Sequence, residues 1–320
     1  MEVAAIAGGI GAGKFLRGVL RVVAPEHVTA VVNVGDDIVM HGLHVSPDLD
    51  SVTYWLGDAF DRERGWGRRG ETFRATEELA AFDPEAAWFG LGDLDLATHL
   101  FRTRELASGA SLSEVTARVA ARFGIAATIL PATDDPLTTR IEVADPETGA
   151  SLDLHFQEYW VRRGAADHVK AIRFSGAREA RPAPGVLDAI ARADVALICP
   201  SNPVVSVGPV LAVPGVREAL ASRSGRPVVG VSPIVGGAPL AGMADRLMPA
   251  AGLEVTALGA ARAYAGLLTG WVIDERDREL EPAVRSELGI DVAVTDSIMR
   301  DDAAAERLAR VALGSAGFRA

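Results

Sequence analysis

Short apolar, β-branched runs alternate with amphipathic helical stretches almost from the first residue. Val3–Ala7 reads as a strand, Lys14–Val23 as a helix and Val28–Val32 as a second strand, the rhythm of βαβ units feeding a parallel sheet. Ser46-Pro47 opens another helix, with serine at the N-cap and proline at the first helical position. Ala87–Leu91 reads as a strand running into Gly92-Asp93. Ser111 and Glu114 form a capping box for a helix to Arg122, and Ile125–Leu130 is the next strand. Beyond Pro131 the rhythm changes. Thr138–Val143 and Leu152–Phe156 flank the turn Asp145-Pro146-Glu147-Thr148-Gly149 as a hairpin, and a further strand lies near Val169–Phe174. Helix Gly185–Arg192 and strands Val195–Cys199, Val228–Val231 and Val272–Asp274 resume the alternation. The expectation is an α/β, doubly wound, mostly parallel Rossmann-like sheet formed by residues 1–136 and 183–320, interrupted by a small β-rich subdomain at 137–182.

Composition narrows the function classes. With 32 basic against 43 acidic side chains the formal charge is −11, which argues against sequence-blind nucleic-acid binding. The single cysteine, Cys199, excludes an intrachain disulfide and a Cys-rich zinc site and fits a reducing, cytoplasmic compartment. The uncharged stretch Ala196 to Val216 is long enough to span a bilayer, but four prolines break it, so no membrane partner is expected. No leader segment is visible.

The first βα turn reads Gly8-Gly9-Ile10-Gly11-Ala12-Gly13-Lys14-Phe15. Glycines there allow φ > 0 and close backbone approach, so that amides face an anion at a helix N-terminus. The string fits the P-loop as far as Lys14, but Phe15 replaces the metal-binding hydroxyl, and it falls one residue short of the dinucleotide fingerprint. Lys14 is one of only two lysines among the 32 basic residues. Strand ends then supply six aspartates, Asp36, Asp37, Asp48, Asp50, Asp93 and Asp95, at the edge where open α/β sheets bind ligands. Carboxylates beside phosphates call for a cation, and magnesium favours one or two carboxylates plus phosphate oxygens. Asp36, Asp37, Asp48 and Asp50 are the metal candidates. Asp48, at the second helical position, reads as a helix cap, leaving Asp50 free for metal or acceptor. Ser201, Asn202 and Ser232 suit ribose, base or phosphate contacts, though turn formation selects the same residue types. The histidines show no metal-ligand spacing.

Taken together, Gly8-Gly9-x-Gly11, Asn33-x-x-x-Asp37, Ser46-Pro47-Asp48-Leu49-Asp50, Leu91-Gly92-Asp93-x-Asp95-x-Ala97-Thr98-His99, Leu130-Pro131, Phe156-Gln157, Pro200-Ser201-Asn202-Pro203 and Val231-Ser232-Pro233-Ile234 resemble the 2-phospho-L-lactate transferases. The resemblance runs in order to about Asp277. It implies a transferase of coenzyme F-420 biosynthesis, magnesium-dependent and homodimeric. In that reaction a guanylyl-activated three-carbon acid (lactyl, enolpyruvyl or glyceryl) passes its phosphate-linked group to the ribityl hydroxyl of the deazariboflavin Fo, releasing GMP. On the matching positions, Gly8, Gly9, Gly11, Gly13 and Lys14 hold the donor phosphates. Asp50 is the catalytic carboxylate, and Asp50, Gly90, Asp93, Asp95 and His99 surround the acceptor. Leu94 stands where relatives often carry a basic residue, and Gly90 where many carry a larger one. Two other readings remain: a UDP-sugar-binding regulatory protein of a related family, and an NAD-dependent oxidoreductase.

Overall fold

A computed structural model describes residues 1–145, 148–223 and 225–318 of the chain. Its core is a seven-stranded sheet, all parallel. We label the strands β1 (Val3–Ala7), β2 (Val28–Val32), β3 (Thr128–Pro131), β7 (Val195–Ile198), β8 (Val228–Val231), β9 (Gly270–Asp274) and β10 (Asp291–Thr295), with β4 (Thr138–Ala144), β5 (Ser151–His155) and β6 (Val169–Ser175) in a separate sheet. The order is β10-β9-β8-β7-β1-β2-β3, so the chain winds outward one way from β1 and then the other way from β7. The doubly wound expectation is met. The crevice of such a sheet opens where the winding reverses, between the carboxyl ends of β1 and β7.

The central strands form because their Val, Ile, Leu and Ala side chains are buried on both faces, as parallel sheets require. Segment 137–182 folds largely as the three-stranded antiparallel sheet β5-β4-β6. Its expected turn includes Pro146 and Glu147, which lie outside the described residues. This sheet is tied to the crevice by Thr139, whose amide donates to the Gly35 carbonyl at 2.7 Å, and by His155 Nε2, 3.0 Å from the Asp37 carbonyl.

Several boundaries differ from the sequence expectations. The first helix, α1 (Ile10–Val19), starts four residues before Lys14, because Gly9 is its N-cap and the glycines themselves form the first turn. Ala87–Leu91 is not a strand. Pro84–Trp88 is a 3-10 turn, started by the Asp83 carboxylate accepting from the Glu85 amide at 3.1 Å, and Trp88, Phe89 and Leu91 join a satellite cluster with Met40 and Val45. Helices α2 (Pro47–Leu56), α3 (Arg74–Phe82), α4 (Asp93–Ala107) and α5 (Leu112–Arg122) follow, the last with the expected capping box at Ser111 and Glu114. Strand β10 and the last helix, Asp302–Ser315, were not expected. No helix among the described residues is long and apolar enough to cross a membrane.

Candidate functional site

A cleft of about 1270 Å³ opens over the carboxyl ends of the central strands. Its floor is the turn between β1 and α1. Here the glycines serve close approach rather than left-handed backbone, since none of Gly8, Gly9, Gly11 or Gly13 has positive φ. A Cβ on Gly11 would lie 2.4 Å from the Pro200 carbonyl oxygen, one on Gly9 2.3 Å from Asp48 Oδ1, and one on Gly13 2.7 Å from the Trp55 ring. The turn is therefore pressed between the loop after β7 and helix α2. Among the described residues no side chain caps α1, so its first amides keep their hydrogen-bonding capacity for a ligand.

Asn33, at the end of β2, organises the acidic side of the cleft. Its buried Nδ2 donates to Asp48 Oδ2 at 2.9 Å, to Asp36 Oδ1 at 3.2 Å and to the Val205 carbonyl at 3.3 Å. Asp36 and Asp48 thus share one neutral donor, and neither makes an ion pair among the described residues. Burial raises both carboxyls, Asp36 well above the ordinary range with Asp48 adding to the effect, and Asp48 to about 7. Asp48 accepts from Asn33, and Ser46, at the N-cap of α2, caps nothing: its hydroxyl donates to Asp37 instead, at 2.7 Å. Asp37 also pairs with His44 Nε2 at 2.9 Å and lies off the cleft wall.

Asp50 lines the cleft but is not free. The fully buried Arg102 of α4 holds both its oxygens, NH1 to Oδ2 at 3.0 Å and NH2 to Oδ1. Asp95 and His99, on the same face of α4, complete this wall together with Tyr54, whose hydroxyl donates to Asp95. Asp93 stands apart at the surface, where it accepts from the Ala75 amide at 3.1 Å and so caps α3. Gly90 lines the cleft beneath Trp66, and Leu94 is largely exposed.

On the opposite side Lys14 reaches the cleft from α1, its Nζ 5.6 Å from the Trp55 ring centroid, with Arg62 on the same ring at 5.0 Å. Burial and the neighbouring Arg62 lower the Lys14 amine. Ser201, Asn202 and Ser232 line the cleft; Ser201 Oγ accepts from the Gly8 amide at 3.3 Å, and the side chains of the other two bind their own loops. Asn202 Oδ1 accepts from Val204 at 2.9 Å, and Ser232 Oγ donates to the Ile234 carbonyl at 2.9 Å. Cys199 is buried beneath, which pushes its thiol up and leaves no nucleophile there.

Tyr54, Arg62 and Arg102 were missed by the sequence reading. Arg102 had a signal: Asp95, His99 and Arg102 recur at four and three residues, one face of a helix. No group of three or more side chains of metal-ligating type stands together among the described residues. Asp36 and Asp48 nevertheless fit a magnesium ion, because they are two uncompensated carboxylates beside an amide-lined turn, and substrate phosphates complete such a site.

The family profile of 2-phospho-L-lactate transferase CofD matches residues 3–308. A phosphoenolpyruvate transferase from Streptomyces griseus is 48% identical, over 98% of each chain. One from Nocardia farcinica is 45% identical over 99% of this chain and 96% of its own, and one from Mycolicibacterium smegmatis is 43% identical over 99% of each. Among solved structures, a member of the upf0052 family from Bacillus halodurans superposes with a TM-score of 0.64 at 16% identity, over 98% of each chain, and shares the fold.

Proposed function

The chain belongs to the 2-phospho-L-lactate transferase family, and on that premise we propose that it moves a phosphoenolpyruvyl group from a guanosine diphosphate-activated donor to the ribityl hydroxyl of Fo, a step of F-420 synthesis that releases GMP. The enolpyruvyl form of the donor is preferred over lactyl because the relatives at 43–48% identity carry the name phosphoenolpyruvate transferase. The observation that carries the reading is the Asp36–Asp48 pair, which makes no ion pair among the described residues and lies beside the uncapped first amides of α1.

The acceptor oxygen attacks the phosphorus that bears the three-carbon acid, the bond from that phosphorus to the oxygen of GMP breaks, and the hydroxyl proton passes to the Asp50 carboxylate and on to solvent. Such a reaction asks for positioning and charge stabilisation more than for covalent help from the protein. The α1 amides and Lys14 would neutralise the diphosphate as negative charge builds on the leaving GMP. Magnesium, held by Asp36 and Asp48, would supply Lewis-acid stabilisation of the same charge. Asp50, facing the cleft from α2, would accept the hydrogen bond of the attacking hydroxyl and orient its oxygen. Asp95, His99 and Gly90 would border the acceptor, and Ser201, Asn202 and Ser232 the nucleotide. A homodimer in the cytoplasm belongs to the same reading and rests on the family resemblance.

Calorimetry with GDP, UDP-N-acetylglucosamine and NAD, each with magnesium, tests this reading. Micromolar binding of GDP supports it. Binding of the UDP-sugar without GDP favours a regulatory protein, and binding of NAD alone overturns the proposal in favour of an oxidoreductase.

A further inference from the structure

Asp48 and Asp50 are two residues apart on α2, hence about 200° apart around its axis. Their surroundings differ accordingly. Asp48 lies against Gly9 and, among the described residues, has the neutral amide of Asn33 as its one hydrogen-bond partner. Asp50 faces α4, where a guanidinium that is 2% exposed takes both its oxygens. Arg102 is absent from the cleft wall, so it grips Asp50 from behind while the carboxylate itself remains at the cleft.

The rest of Arg102 is fixed as well. NH1 reaches the His44 carbonyl at 3.4 Å and His99 Nδ1 at 3.2 Å. A guanidinium only donates, so Nδ1 of His99 must accept, and the ring proton sits on Nε2, which faces Asp95 Oδ1 at 3.7 Å. One buried arginine thus sets the orientation of Asp50 and the tautomer of His99. A lysine would deliver a point charge and could not hold two carboxylate oxygens in a plane.

We propose that Arg102 is a positioning residue for the acceptor step: by occupying both oxygens of Asp50 and balancing its charge, it keeps that carboxylate from joining the cation at Asp36 and Asp48 and holds it toward the acceptor hydroxyl. The proposal rests on the transferase reading above. It explains why two carboxylates on one helix turn take separate duties.

The test is a double-mutant cycle on GMP release, using Asp50→Asn, Arg102→Met and the double variant, with GDP affinity measured for each by calorimetry. If Arg102 works through Asp50, Arg102→Met lowers kcat by about 10²-fold, the scale for a misplaced reacting group, and leaves GDP affinity within about threefold. Added to Asp50→Asn it then costs less than about threefold more, since the group it positions is already gone. Losses that multiply in the double variant overturn the proposal, as does Arg102→Met at wild-type kcat. Arg102→Lys keeps the buried charge and guards against a folding failure. An intermediate kcat with GDP affinity intact supports the fork geometry, and an unchanged kcat refutes it. Wild-type turnover by Asp50→Asn would also overturn it, because nothing would remain to position. Failure of the transferase reading shows differently, as wild-type protein that neither binds GDP nor releases GMP.

Discussion

Asp48→Asn should make the metal-free protein more stable at neutral and alkaline pH while abolishing its use of magnesium. The Asp48 carboxyl titrates near 7 in the folded protein and near 3.8 in an unconstrained chain, burial being the main cause. A folded-state value above the unfolded one means the folded chain binds the proton more tightly. Ionisation therefore costs nothing below pH 3.8, grows between the two values, and is complete above 7, where it reaches about 4 kcal/mol. Asparagine cannot ionise, and its side-chain oxygen still accepts from Asn33. The change also relieves Asp36, whose carboxyl is raised by burial and by Asp48, so both effects have the same sign. Urea unfolding in EDTA, followed by tryptophan fluorescence from pH 4.5 to 8.5, should show wild type and variant converging at the acid end and separating by several kcal/mol at the alkaline end. Saturating magnesium should lift wild type, because a ligand that binds only the folded state stabilises it, and should leave the variant nearly unmoved. A wild-type-to-variant difference that is flat across this range would mean that Asp48 ionises as easily folded as unfolded.

Lys14→Ala should raise the KM for the donor about 10–100-fold while leaving Fo binding intact, from the loss of a charge-assisted contact worth about 1.5–3 kcal/mol; arginine there should rescue only partly, and unchanged donor kinetics would make Lys14 a bystander. Gly11→Ala should cost about 1–3 kcal/mol in thermal unfolding and weaken GDP binding, because its methyl would meet the Pro200 carbonyl, which lies 2.4 Å from that Cβ position. Gly314→Ala, in an open position on the last helix, should instead stabilise by about 0.5–1 kcal/mol. Asp93→Asn should keep turnover within about twofold and lose at most about 1 kcal/mol, as expected of a helix cap; a large rate loss would return Asp93 to the acceptor site.

What the sequence made legible follows burial. Val3–Ala7, Val28–Val32 and Val228–Val231 were read to the residue, because strands buried on both faces are continuous runs of β-branched and small apolar side chains. Strand Asp291–Thr295 escaped, as a sheet-edge strand with mostly half-exposed residues. The helix Asp302–Ser315 carried a readable signal in Asp301, whose carboxylate accepts from the Ala304 amide at 2.7 Å. The run Ala87–Leu91 has strand-like composition, but its aromatic rings pack on one another and on a satellite cluster instead of joining a ladder. At the site, the glycine turn and Asp36, Asp48, Asp50 and Asp95 converge on one cleft, whereas Asp37 and Asp93 are turned to local partners. Spacing placed these carboxylates near the strand ends. Which of them finds a cation or an amide depends on His44, Asn33 and Arg102, and the pairing of Arg102 with a residue 52 positions away leaves no local trace.

Mass spectrometry of the products formed from purified protein, Fo, magnesium and each guanylyl-activated donor decides whether the chain transfers the phosphoenolpyruvyl group to Fo. The expected products are GMP and Fo carrying the phosphate-linked enolpyruvyl group, formed faster from that donor than from the lactyl one. Intact donor and unmodified Fo after prolonged incubation, with GDP bound or not, would contradict that transfer.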